Sequence, residues 1–152
     1  MRFWVGNRDG GTLVDQEQAR VSVLDHGFTV ADGVFETMKV TADGPFALTR
    51  HLRRLSESAR ALGLAAPDVD VVRSAVDSVI AAGAGEIGGL GRLRVTYTGG
   101  AAPLGSDRGD ALPTLVVALA AAAPGVLPAS AEAAQTIDGW EVRRYPYLPC
   151  FA

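Results

Sequence analysis

A change of hydrophobic period at residue 48 constrains the fold of this chain more than any other feature. Upstream of it, short β-rich segments alternate with glycine turns. Phe3 to Val5, Thr12 to Val14 and Val21 to Leu24 read as strands, with Asp9-Gly10-Gly11 as a hairpin turn. Val34 to Thr41 and Phe46 to Leu48 flank Asp43-Gly44-Pro45 as a second hairpin. From Leu48 the apolar residues Leu52, Leu55, Ala59 and Leu62 recur at three- and four-residue steps, with Arg53, Glu57 and Arg60 on the opposite side. This predicts an amphipathic helix stopped by Gly63. Asp68 then caps a second helix whose stripe is Val69, Val72, Val76 and Val79 and which ends at Gly83. Arg92 to Thr98 and Thr114 to Ala120 return to β-branched content, and the second is so apolar that it belongs at the centre of a sheet. The expected fold class is α+β, a two-layer sandwich of a mostly antiparallel sheet covered on one face by two helices.

Residues 1–120 are read as this α/β domain. Ala121-Ala122-Ala123-Pro124-Gly125 changes the texture, so 121–130 reads as a linker. Residues 131–152 read as the incomplete beginning of a second domain, with one or two strands between Ala131 and Tyr147. A chain of 152 residues with 48% apolar and 20% charged residues is globular in composition. Its net charge of -3 supplies no broad positive field, so nucleic acid is not an expected partner. The stretch Leu115 to Ala123 is too short to span a bilayer, and no membrane role is expected. The one cysteine, Cys150, cannot form an internal disulfide, which fits a reducing, cytoplasmic setting. Gly83-Ala84-Gly85-Glu86-Ile87-Gly88 satisfies the G-x-G-x-x-G expression but follows a helix and precedes a strand, the reverse of a dinucleotide-binding context. Two histidines and one cysteine at distant positions provide no metal-ligand spacing, and no G-x-S-x-G elbow occurs.

The chemistry-bearing stretch is Asp25-His26-Gly27-Phe28-Thr29-Val30-Ala31-Asp32-Gly33-Val34-Phe35-Glu36-Thr37, followed by Arg50-His51-Leu52 and Arg54-Leu55. Taken singly, Gly27 and Gly33 need only permit tight turns, His26 only caps a loop, and Glu36 is a solvated strand residue. The ordered set closely resembles the signature of fold-type IV pyridoxal-phosphate (PLP) enzymes, the class IV aminotransferases and aminodeoxychorismate lyases. The likeness continues through Ser58 to Leu64, Arg92 to Thr96 and Pro103-Leu104-Gly105, and covers roughly residues 1 to 120.

The resemblance implies PLP as cofactor, with Arg50, in the first turn of its helix, gripping the phosphate. It implies that Phe35, Thr37, Arg94 and Arg108 face a small-molecule substrate. Phe35 and Thr37 share one side of a strand while Glu36 points away. Phe35 stands where aminotransferases of the family often carry a tyrosine, which leans toward the lyase branch. Arg108, in Gly105-Ser106-Asp107-Arg108-Gly109, resembles the loop arginine that holds substrate carboxylate in the lyases. Thr98-Gly99-Gly100 replaces the Thr-Arg-Gly of D-amino acid aminotransferases, and the Tyr-x-Arg-Pro strand of branched-chain aminotransferases is also absent. His51 is expected to be structural.

Lysine is the amine through which PLP enzymes hold the cofactor, and the only lysine here is Lys39, far upstream of the family position. No catalytic residue is therefore assigned, and these 152 residues alone are expected to show neither lyase nor transaminase turnover. The function implied is conversion of aminodeoxychorismate to 4-aminobenzoate and pyruvate in folate synthesis. The alternatives are transamination of D- or branched-chain amino acids, or a non-catalytic truncated domain. Family members are usually homodimers, and the resemblance implies the same here.

Overall fold

The computed structural model describes residues 1–122 and, beyond them, the backbone of Ala134–Ile137 and Trp140–Arg143. Two compact units result, Met1–Ala121 and Ala122–Ala152. The first contains strands β1 (Arg2–Asn7), β2 (Gly10–Asp15), β3 (Gly33–Thr41), β4 (Gly44–Pro45), β5 (Gly91–Thr98) and β6 (Thr114–Ala121). Its helices are α1 (His26–Thr29), α2 (Leu48–Ala61) and α3 (Val69–Gly83). The second contains the antiparallel pair β7 (Ala134–Ile137) and β8 (Trp140–Arg143), inside the stretch expected to hold strands.

The six strands form one sheet in the order β2-β1-β6-β5-β3-β4, and every pairing is antiparallel. β6 is an inner strand, as its composition predicts, and it alternates strictly. Leu115, Val117 and Leu119 are buried, whereas Thr114, Val116, Ala118 and Ala120 are only half-buried. On β5 the same rule buries Leu93 and Val95 and leaves Arg92 and Arg94 outward. The helices cover the buried face. Leu52, Leu55 and Ala59 of α2 and Val72, Ala75, Val76 and Val79 of α3 join Met38, Val40, Leu93, Val95, Leu115, Val117, Leu119 and Trp4 in one core. Each large aliphatic side chain removed from water there contributes about 2 kcal/mol, so the face carrying the stripe is decided by many residues at once. The α+β two-layer arrangement follows.

Local signals set the helix ends. The Asp68 carboxylate accepts from the amides of Asp70 (2.9 Å) and Val71 (3.2 Å) and starts α3. Gly63, at φ +71°, takes the left-handed position after α2 that a side chain would strain.

Two expectations fail. Val21 to Leu24 is not a strand: the backbone turns, with the Leu24 amide bonded to the Ser22 hydroxyl (3.1 Å) and the Asp25 amide to the Ser22 carbonyl (3.0 Å). Val21, Val23 and Leu24 are exposed, so their β-branched character had no buried face to satisfy. The second hairpin is also shorter than expected. Phe46 to Leu48, expected as its second strand, is not one: β4 is Gly44–Pro45, the Phe46 amide still donates to the Lys39 carbonyl at 2.9 Å, and Ala47, at φ +53°, then swings the chain directly into α2 at Leu48.

Candidate functional site

Asp25 is the hub of the loop preceding β3. Its side chain is buried, and its two oxygens accept from the Gly27 amide (2.8 Å), the Thr98 hydroxyl (3.0 Å) and the Thr114 hydroxyl (2.7 Å). Thr98 and Thr114 are cross-strand partners on β5 and β6, so one carboxylate closes the loop over the end of both strands. Gly27 does more than permit a turn. A Cβ there would fall 2.8 Å from Thr98 Cβ and still closer to its Cγ2, so the loop needs a bare backbone. His26, read as a loop cap, is fully buried, and its Nε2–H donates to the Pro103 carbonyl at 3.2 Å. That contact ties loop 25–33 to loop 99–105.

The sheet face that the helices leave uncovered begins at this loop. Phe35 and Thr37 of β3 point outward on it, Phe35 with 55% of its surface exposed. Register places Phe35 beside Thr96 and Thr37 beside Arg94. The Arg94 guanidinium lies 3.7 Å from the Phe35 ring centroid, and its Nε–H donates to the Thr96 hydroxyl at 3.3 Å. Phe35, Thr37 and Arg94, three of the residues expected to meet substrate, are therefore contiguous. Lys39 and Arg92 are cross-strand neighbours on the same face. Among the described residues none of Lys39, Arg92 and Arg94 forms an ion pair. Partial burial, and then the nearby Arg92 charge, lower the pKa of Arg94 from the usual arginine value. A face bearing three unneutralised cations and two threonine hydroxyls is suited to anionic ligands.

Arg50 lies at the start of α2, where Pro45, Ala47, Leu48, Thr49, Arg50 and Arg53 line an open hollow of about 660 Å³. No side chain caps this helix start. An uncapped helix N-terminus flanked by two guanidinium groups fits the phosphate end of PLP, since amide N–H groups and positive charge converge there. Lys39 does not stand in this hollow's lining; its ammonium lies 4.7 Å from the Phe46 ring centroid.

Arg108 is placed differently from the other four. Its Nε and one terminal nitrogen bind both oxygens of Asp32, that nitrogen also donates to the Leu62 carbonyl (2.7 Å), and the other donates to the Gly63 carbonyl (2.9 Å). The bonds to Asp32 raise the pKa of Arg108 further above the solution value. Four of its five N–H groups are thus committed to loop 25–33 and to the residues ending α2, and a substrate carboxylate could take both prongs of the fork only by displacing one of these partners.

Glu36 departs most from its sequence reading. It is 3% exposed, not solvated, and lies on the helix-covered face. Its oxygens accept from His51 Nδ1 (2.7 Å) and from Arg54 Nε (3.0 Å). The roles of Asp25, Asp32 and Glu36 were missed because their partners lie far along the chain. The one local signal was the alternation of Glu36 with Met38 and Val40, which assigns it to the core face.

The comparisons agree with this architecture. The family model described as amino-transferase class IV matches residues 33–149, well over half of the chain. A putative branched-chain-amino-acid aminotransferase of Methanocaldococcus jannaschii is 42% identical over 57 residues, 38% of this chain and 20% of that protein. A fold IV-transaminase of Curtobacterium pusillum is 30% identical with a TM-score of 0.69, covering 80% of this chain and 43% of the other. A branched-chain aminotransferase of Thermoproteus uzoniensis, solved with norvaline, is 27% identical with a TM-score of 0.65, covering 80% and 40%. The chain thus spans about two fifths of the length of these solved structures and less of the curated relative. No helix among the described residues is long and apolar enough to cross a membrane. The chain belongs to the class IV aminotransferase family.

Proposed function

We propose that this domain is the cofactor-phosphate and substrate-facing half of a PLP-dependent aminotransferase acting on a small amino acid. The observation that carries the reading is the start of α2, where Arg50 and Arg53 line a hollow at an uncapped helix end. Bound there, PLP would supply the aldehyde that carries an amino group between substrates. Arg50 and Arg53 hold the dianion by charge and by N–H donation. Phe35 forms an apolar wall, Thr37 offers a hydroxyl, and Arg94, steadied by the Phe35 ring, attracts a substrate carboxylate. Support for transamination comes from the branched-chain aminotransferases to which the chain is similar. We assign residues 1–120 to this domain and 131–152 to the opening of a second one, and we take the working protein to be a cytoplasmic homodimer.

The experiment is a titration of the chain with inorganic phosphate and with PLP. Arg50→Ala should weaken both by about 10- to 100-fold, the worth of a charge-assisted bond. Unchanged affinity for both ligands would refute the reading.

A second reading, the aminodeoxychorismate lyase, is favoured by one residue: Phe35 has no hydroxyl where a transaminase-like tyrosine would place one. An assay of the assembled enzyme separates the two. Pyruvate release without a keto-acid acceptor marks the lyase, and dependence on the acceptor marks the transaminase.

A further inference from the structure

We propose that the Asp43–Gly44 bond is a site of spontaneous isoaspartate formation, singled out by the fold from other Asp-Gly pairs of the same chemistry, and that the modification loosens Phe46 from β3. The pairs within the described residues are Asp9-Gly10, Asp32-Gly33 and Asp43-Gly44; Asp138-Gly139 lies outside them. Glycine carries no Cβ to shield its amide, so its nitrogen can reach the carboxyl of the preceding aspartate. The Gly44 nitrogen attacks Asp43 Cγ, losing its proton as the carboxyl loses a hydroxyl, so that water leaves and a cyclic imide forms. Solvent water then opens the ring at either carbonyl. Opening at Cγ restores aspartate. Opening at the main-chain carbonyl leaves the chain running through Cβ and Cγ, lengthened by a carbon, with the α-carboxylate as a side group.

The sites differ in how freely carboxyl and amide can meet. Asp32 is 12% exposed, both its oxygens are held by Arg108, and the Gly33 amide donates to the Ala31 carbonyl at 3.1 Å. Ring closure there would break these bonds. Asp9 and Asp43 occupy matching turns. Each is exposed and precedes a glycine at positive φ, +136° at Gly10 and +102° at Gly44. Each amide donates to a side-chain oxygen two residues back, on Asn7 (2.9 Å) and on Thr41 (3.3 Å). Their hairpins separate them. β1 and β2 pair from Arg2↔Asp15 through Asn7↔Gly10, whereas β3 and β4 pair only at Val40↔Pro45 and Thr41↔Gly44. Asp9 also faces Arg8 at 3.8 Å, while Asp43 forms no ion pair among the described residues. The Asp43 turn therefore opens at the least cost. The lengthened chain then displaces Phe46, whose amide donates to the Lys39 carbonyl (2.9 Å) and whose ring lies 4.7 Å from the Lys39 ammonium.

The test ages the 152-residue chain in heavy-oxygen water at neutral pH, because ring opening leaves a heavy oxygen on the residue that cyclised. After return to ordinary water, peptide mass spectrometry reads the label. An endoproteinase that cuts before aspartate but not before isoaspartate identifies the isomer. Asp43 should label about tenfold faster than Asp9, the ratio that a further net hydrogen bond broken on opening would give. Asp32 should label more slowly than both. In urea, where the turns are gone, all of them should agree within about threefold. Asp43→Glu, whose longer side chain needs a larger and slower ring, should remove the label from its peptide. The isomerised fraction should exchange its Phe46 amide about tenfold faster than the fresh chain. Label at Asp9 or Asp32 that matches Asp43 in the folded chain overturns the proposal. So does an ordering that persists in urea, a label that survives Asp43→Glu, or a Phe46 amide that exchanges as in the fresh chain.

Discussion

Replacing Arg108 by methionine isolates the clamp that this residue forms. The substitution keeps much of the aliphatic stem and removes four hydrogen bonds, two to Asp32 and one each to the carbonyls of Leu62 and Gly63. Asp32 is only 12% exposed and Arg108 32%, so the pair is neither a solvated surface bridge nor a sealed one. A bidentate pair of this kind is worth about 1.5–2 kcal/mol, between exposed bridges and buried charge-assisted bonds. A cation at the end of α2 adds about 0.5 kcal/mol. The loss of roughly 2–2.5 kcal/mol lowers the melting temperature of a domain this size by about 6–10 °C. Arg108→Lys should recover only part of this, because an ammonium has three donors on one point and cannot reproduce four bonds made by a planar fork. The assay is thermal unfolding of Arg108→Met, Asp32→Asn and the double variant. The two single changes must be non-additive, with a coupling of at least about 1 kcal/mol. Additive losses, or an Arg108→Met chain that melts with the parent, would show that the clamp contributes nothing and return Arg108 to the substrate.

Two more substitutions probe the frame around the site. Gly27→Ala should lower the melting temperature by about 4–8 °C, because the new methyl meets Thr98 and forces the loop to move, a change of about 1–2 kcal/mol; a parent-like melt would show that the loop yields freely. Tyr97 is buried on the core face, and burial raises its phenol pKa. A raised folded-state pKa means that stability is fully present below the unfolded value of about 10 and falls as pH climbs past it. Tyr97→Phe should therefore lose less melting temperature than the parent between about pH 9 and pH 11, and parallel losses would remove Tyr97 as the cause.

The parts of the fold that could be read in sequence are those whose signal repeats. Leu52, Leu55 and Ala59, and then Val72, Val76 and Val79, each report the same helix face several times over, and all six are buried. The alternation in β5 and β6 works the same way. Val21 to Leu24 misleads because strand propensity describes what fits a half-buried pleated surface, and here no such surface is available. Composition alone cannot say whether a segment finds one.

The site divides along the same line. Phe35, Thr37 and Arg94 could be placed together because strand alternation and a β3–β5 pairing suffice to put them on one face. The charged residues could not, since each is defined by a partner: Asp25 by Thr98 and Thr114, Asp32 by Arg108, Glu36 by His51 and Arg54. A motif fixes which residues are present without fixing which of them touch ligand. Three carboxylates of the motif region hold the frame, and the cations that form no ion pair among the described residues on the open face, Lys39, Arg92 and Arg94, together with Arg50 and Arg53 at the hollow, are where a negatively charged ligand meets least competition. Arg53, which also faces Glu57 at 3.6 Å, shows how weak that competition can be: both members of that pair are more than half exposed, so a phosphate dianion would outcompete the carboxylate for the guanidinium.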